Sequence, residues 1–126
     1  MSKRILIVDD EPEIVELLEM RLRKIGYTIL TASDGMEGLE KARKEMPDLI
    51  ILDVMMPKMD GFQVCRFLKF DEKYKKIPVL MLTSRGQDSD KNLGKEVSAD
   101  SYMPKPYEVD ALLKEIKRLL KDSATR

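Results

Sequence analysis

The sequence contains no histidine and no tryptophan, and Cys65 is its lone cysteine. One thiol cannot close an internal disulfide, and without imidazoles there is no ligand set for a zinc or other transition-metal site. Net charge is missing too: 23 lysines and arginines balance 23 aspartates and glutamates over 126 residues. The chain therefore lacks the positive field that sustains binding to nucleic acid or an anionic membrane, and proteins or small molecules are the expected partners. No apolar run approaches a membrane span, and the opening MSKRILIVDD meets charge before any secretory apolar region forms. A soluble, cytoplasmic protein is expected. Amides are scarce, with Gln63, Gln87 and Asn92 set against 37% charged residues, a balance reminiscent of thermophile proteins. The length suits one domain spanning residues 1–126, with a core from about residue 3 to 121 and a polar tail at 122–126.

What is present is an alternation of short apolar runs and helical periods. Residues 5–8, 27–32, 49–52 and 79–82 are strand-sized, and 99–103 is a weaker fifth run. Between them, Ile14, Leu17, Leu18, Leu22 and Ile25 mark one helical face, opened by Pro12 and stopped by Gly26. Met36, Leu39, Ala42 and Met46 mark a second, begun by Asp34, and Phe62, Cys65 and Leu68 a third. Residues 88–97 make the poorest helix, with Leu93 and Val97 as strong apolar positions and Gly94 inside. Val109, Leu112, Leu113, Ile116, Leu119 and Leu120 define the last and clearest. Strict alternation with right-handed crossovers predicts an α/β fold, a five-stranded parallel sheet with helices on both faces. In such sheets ligands sit outside the carboxyl ends of the strands.

The polar residues at those ends carry the chemistry. The first strand delivers Asp9 and Asp10, the third Asp53, the fourth Thr83, and the fifth, after Tyr102, Met103 and Pro104, Lys105. Any one acid after a strand is ordinarily a turn residue or helix cap. Four strands ending in compatible groups call for a joint reading. Three carboxylates brought together repel, so without a counter-ion at least one pKa should rise, and a divalent cation relieves the strain. All-oxygen ligands favour Mg²⁺. With Lys105 opposite and the Thr83 hydroxyl alongside, the groups suit a phosphoryl group, and Asp53 is the candidate nucleophile.

These residues carry a resemblance. ILIVDDEP, LDVMMPKMDG, VLMLTSRG and YMPKP, in this order and spacing, resemble the acid pair, phosphoacceptor strand, switch threonine and lysine motifs of the response-regulator receiver domain, the CheY-like (βα)5 fold of flavodoxin-like type. The resemblance implies that Asp53 takes a phosphoryl group from a sensor histidine kinase or phosphotransfer protein. It implies Mg²⁺ held by Asp10, Asp53 and the main-chain carbonyl of Met55, with Asp9 acting partly through water. Thr83 and Lys105 would hold the phosphoryl oxygens, Ser84 would leave them room, and Tyr102 would be the aromatic switch. Pro57 and Gly61 would shape the loop after the acceptor, and a cis Lys105–Pro106 bond is expected. The readout would be a changed surface on the fourth helix (residues 88–97), fifth strand and last helix, addressed to an effector protein or domain or to a phosphorylation-dependent homodimer. Enzymic turnover is not expected beyond self-promoted phosphotransfer and slow autodephosphorylation.

Rival readings are distinguished by single positions. A phosphatase of the haloacid dehalogenase type needs an acid two residues after its nucleophile, where this chain has Met55. A flavodoxin-like nucleotide binder needs a glycine-rich loop where DDEPEI stands. A receiver-like interaction module that is never phosphorylated would be expected to lose an acid or the lysine. Met55 and Arg85 resemble residues of receivers attached to winged-helix DNA-binding domains, yet Ser101, Ala111 and Glu115 replace the acid, acid and base by which those receivers pair their last helices. Direct nucleic-acid contact by this domain is not expected. Cys65 reads as a small core residue, the methionines at 55, 56 and 59 as packing around a loop, and the basic edge at Lys114, Lys117, Arg118 and Lys121 as placement near a helix C-terminus.

Overall fold

Ile5 to Val8, Leu49 to Leu52 and Val79 to Leu82 are apolar at every position, the pattern of strands buried on both faces. The computed structural model, which describes residues 2–83 and 98–124, makes them the central strands of one sheet. The elements are β1 (Arg4–Val8), α1 (Pro12–Ile25), β2 (Thr28–Ala32), α2 (Gly35–Glu45), β3 (Leu49–Asp53), α3 (Gly61–Lys69), β4 (Val79–Thr83), β5 (Ser101–Pro104) and α4 (Val109–Ala124). All pairings are parallel, in the order β2-β1-β3-β4-β5. The expected class is therefore observed; the weak helix expected at 88–97 lies outside the described residues.

Alternate strand residues feed two cores. Leu6, Val8, Ile50, Leu52, Val79 and Met81 pack with Leu39 and Ala42 of α2 and with Val64, Cys65 and Leu68 of α3. Ile5, Ile7, Leu49, Ile51, Leu80 and Leu82 pack with Leu18 and Leu22 of α1 and with Leu112, Ile116 and Leu119 of α4. Cys65 is fully buried, its thiol pushed up to about 12 by burial, as befits a core residue. No helix among the described residues is long and apolar enough to cross a membrane.

Local chemistry sets the helix ends. Asp34 accepts from the Glu37 N–H, and Asp60 and Gln63 form a reciprocal capping box at the start of α3. Gly26 closes α1 in the left-handed region at φ 114, its N–H bonded to Arg23 and Leu22 carbonyls. Register sets the site: Val8 pairs with both Ala32 and Leu52, Asp53 with Leu82, and Thr83 with Pro104. The residues that end or follow β1, β3, β4 and β5 thus share one edge, and the strand order reverses between β1 and β3, where such sheets open a crevice.

Gly61 closes that crevice from below. A Cβ there would lie 2.4 Å from the Asp53 carbonyl oxygen and 2.9 Å from the Val54 Cα, while the Gly61 N–H donates to the Val54 carbonyl at 3.0 Å. Both clashing groups are backbone, so neither can rotate away. Gly61→Ala is expected to lose about 1–3 kcal/mol of stability as α3 is forced off β3. Urea unfolding checks this, and an unchanged midpoint would mean that the helix start yields freely.

Candidate functional site

Asp9 and Asp53 are each 4% exposed, and Thr83 is fully buried. A carboxylate is seldom buried without a partner. Here the partner is Lys105, whose side chain is 10% exposed and whose Nζ lies 2.9 Å from Asp9 Oδ2 and 3.3 Å from Asp53 Oδ1. Its backbone N–H donates to the Thr83 carbonyl at 2.6 Å, and the Lys105–Pro106 bond is cis as expected. Lysine, threonine and the two buried acids are thereby joined through strand ends rather than through loops.

One residue of this group was not singled out from the sequence. Glu11 places Oε1 3.5 Å from Lys105 Nζ, and its N–H donates to Asp9 Oδ1 at 3.0 Å. Its signal was there, a third acid directly after Asp9 and Asp10, masked because the position also begins a helix. Asp9, Asp10, Glu11 and Asp53 each offer an oxygen, all within 4.8 Å of one another.

The electrostatic consequence appears at Asp53, whose pKa is raised to about 6. Burial is the largest cause, followed by the charge of Asp9; Lys105 pulls the other way, and Asp10 adds to the rise. Lys105 is pushed up in turn: burial opposes its charge, but the hydrogen bond to Asp9 and the charges of Asp53 and Asp9 outweigh it. One ammonium does not neutralise this many carboxylates. An all-oxygen donor set with surplus negative charge fits a hard divalent cation of the Mg²⁺ type.

Other expected residues fall nearby. Met55 sits in the loop two residues past Asp53, its side chain half-exposed. Thr83 pairs with Pro104 and Met81 with Tyr102, which puts Thr83 and the half-buried Tyr102 on one face of the sheet. Ser84 and Arg85 lie outside the described residues. Beside Lys105, Ile14, Leu17, Leu18 and Arg21 of α1 and Pro106, Tyr107 and Val109 line an apolar cleft of about 530 Å³.

An acid cluster at the switch point of a 2-1-3-4-5 parallel sheet, faced by a lysine from the last strand, defines a signalling domain of CheY-like architecture. The family model for the response regulator receiver domain matches residues 5–117, and the chain belongs to that family, which serves two-component systems. It is 51% identical over 121 residues to the alkaline phosphatase synthesis transcriptional regulatory protein PhoP of Bacillus subtilis, and 47% identical over 118 residues to the DNA-binding dual master transcriptional regulator RpaA of Synechocystis. Each match covers 94% of this chain but 50% and 49% of the relative, so the chain spans about half the length of the curated relatives it matches. The crystal structure of a CheY-like receiver domain protein from Methanospirillum hungatei superposes with a TM-score of 0.93 at 28% identity, covering 99% of this chain and 98% of that one.

The raised Asp53 pKa has a signed consequence. Its folded value near 6 lies above the unfolded value of about 3.9. Between the two the folded state binds more protons, so Asp53 makes stability fall as pH rises through that window. In metal-free buffer at pH 7.5, Asp53→Asn is expected to unfold at higher denaturant than the parent, by about 1–3 kcal/mol, and to lose that advantage near pH 4. Equal stability at pH 7.5 would contradict a carboxylate disfavoured by burial and by the charge of Asp9.

Proposed function

We propose that this receiver domain accepts a phosphoryl group on Asp53 from a phosphohistidine of a sensor histidine kinase or phosphotransfer protein. The observation that carries the reading is the Asp53 carboxylate, buried at the switch point with a lysine 3.3 Å away and acids on its other sides. A cytoplasmic setting goes with such a donor.

In the transfer, a phosphorus–oxygen bond to an Asp53 oxygen forms as the donor's phosphorus–nitrogen bond breaks, and the electron pair of the broken bond stays on the imidazole nitrogen. Burial and the neighbouring acids hold part of the Asp53 population protonated near pH 6, so the free carboxylate needed for attack is favoured by added positive charge. Asp10, Asp53 and the Met55 main-chain carbonyl would hold Mg²⁺, with Asp9 engaged chiefly by Lys105. When bound, Mg²⁺ supplies the charge that clamps phosphoryl oxygens. Lys105, already poised between Asp9 and Asp53, exchanges a carboxylate contact for a phosphoryl oxygen, and Thr83 adds a hydroxyl donor. Met55 offers no hydrogen bond to orient a hydrolytic water, which favours slow autodephosphorylation.

The signal leaves through β4 and β5. A hydroxyl drawn toward Asp53 frees space on the sheet face that Thr83 shares with Tyr102, and the ring turns into it. Segment 88–97, β5 and α4 would then present a changed surface to an effector, or to a second copy in a phosphorylation-dependent homodimer. The apolar cleft between α1 and residues 105–109 supports a protein donor seated over the site.

Intact mass after incubation with Mg²⁺ and phosphoramidate tests the acceptor. The parent should gain one phosphoryl mass and Asp53→Asn none; a gain in the variant would overturn the assignment. Thr83→Ala should still gain the mass, but amide shifts on adding beryllofluoride should stop near residue 83 instead of reaching β5 and α4, and an undiminished spread would remove the threonine from the route.

A further inference from the structure

Two of the three phenylalanines, Phe67 and Phe70, stand on the outer face of α3 and its C-terminal turn, 50% and 67% exposed. Large aromatic rings left in water on adjacent turns are uncommon on a surface that no other chain covers. With Arg43 from α2, Arg66, Asp71 and Glu72 they surround one shallow cleft of about 600 Å³. The guanidinium groups of Arg43 and Arg66 make no hydrogen bond or ion pair among the described residues. On the acidic side, Glu72 is paired with Lys75 at 2.9 Å and Asp71 Oδ1 accepts the Lys73 N–H at 2.9 Å. Both contacts are exposed or local, and an exposed pair of this kind contributes at most about 1 kcal/mol.

The order of these residues along the chain says what fits. Arg66, Phe67, Phe70 and Asp71 read the same way in reverse if arginine is matched with aspartate: a two-fold axis that sets Phe67 against Phe70 also sets Arg66 against Asp71. Arg43 and Glu72 complete the lining of the cleft. An isologous contact needs a patch complementary to itself, apolar at the axis and opposite in charge on its two sides. A patch for an acidic or a basic partner would carry one sign instead. We propose that this α2–α3 face is a self-association surface, on which a second copy of the chain docks antiparallel through Phe67 and Phe70 with Arg66 facing Asp71 across the axis.

The face is separate from the Asp53 site. α3 starts against the Asp53 backbone and runs away from it, ending where Lys69 Nζ bonds the Ile77 carbonyl at 2.7 Å, ahead of β4. Association is therefore independent of the phosphoacceptor reading and leaves the carboxyl edge of the sheet open. Six lining residues are far fewer than the roughly 20–30 a side of a standard interface, so the association is weak, read at chain concentrations of about 1 mM.

Sedimentation equilibrium of the unphosphorylated chain from about 20 µM to about 1 mM tests it. The average mass should climb toward that of two chains. Phe70→Ser should lower the association constant at least about tenfold, as should Arg66→Asp, which sets like charges across the axis, and Asp71→Arg for the same reason. The two charge variants mixed in equal amounts should associate, because the acids of one then face the arginines of the other. All three positions are exposed or half-exposed, and circular dichroism checks the fold. A mass independent of concentration, a Phe70→Ser variant that associates like the parent, or a mixture that stays monomeric would each overturn the proposal.

Discussion

The Lys105 ammonium wedged between two nearly buried carboxylates is the contact on which the site depends. Burying Asp9 or Asp53 alone would cost several kcal/mol, and a single cation lowers that cost without removing it. The imbalance remains visible in the raised pKa of Asp53. A site tuned this way is poised: it has room for more positive charge and for a group that draws Lys105 away from its acids. The parallel sheet makes the contact possible, because register brings Asp9, Asp53, Thr83 and Lys105 to one edge from positions scattered along the chain.

The same geometry explains why the site sits at the end of a buried apolar core. β3 is buried along its whole length up to and including Asp53, so the acceptor is held by strand packing rather than by a flexible loop. Gly61 lets α3 begin directly against that strand end, and the Asp60–Gln63 capping box secures the helix start. Together these fix the floor of the crevice. The apolar cleft beside Lys105 gives the opposite rim a surface suited to protein contact.

Much of this was legible beforehand, for identifiable reasons. Fully apolar runs marked β1, β3 and β4, since strands buried on both faces leave no room for polar alternation. Asp34, Gly26 and Pro12 punctuated the helices as their backbone chemistry demands. Acids and lysine at strand ends converged because parallel topology leaves little choice. Glu11 escaped notice because a helix-start acid has an ordinary role, and its approach to Lys105 depends on tertiary geometry. Glu115 is a different case. It occupies a position where an intermolecular base was the comparison, but here it is bound within the chain by Arg118 and by the Ser101 hydroxyl, which hold its pKa down to about 2. No sequence periodicity could have shown that pairing across β5 and α4. Phe67 and Phe70 lie off the helical face that Phe62, Cys65 and Leu68 define, and their exposure becomes apparent with the packing of α3.

The central claim is that burial, and after it the charge of Asp9, disfavours the Asp53 carboxylate in the folded protein until positive charge is added. A carbon-13 NMR titration of the Asp53 side-chain carboxyl measures this directly. In metal-free buffer the midpoint should fall near pH 6, and saturating Mg²⁺ should move it well below that value. A midpoint near the ordinary carboxylate value of about 4, unmoved by Mg²⁺, would contradict the account.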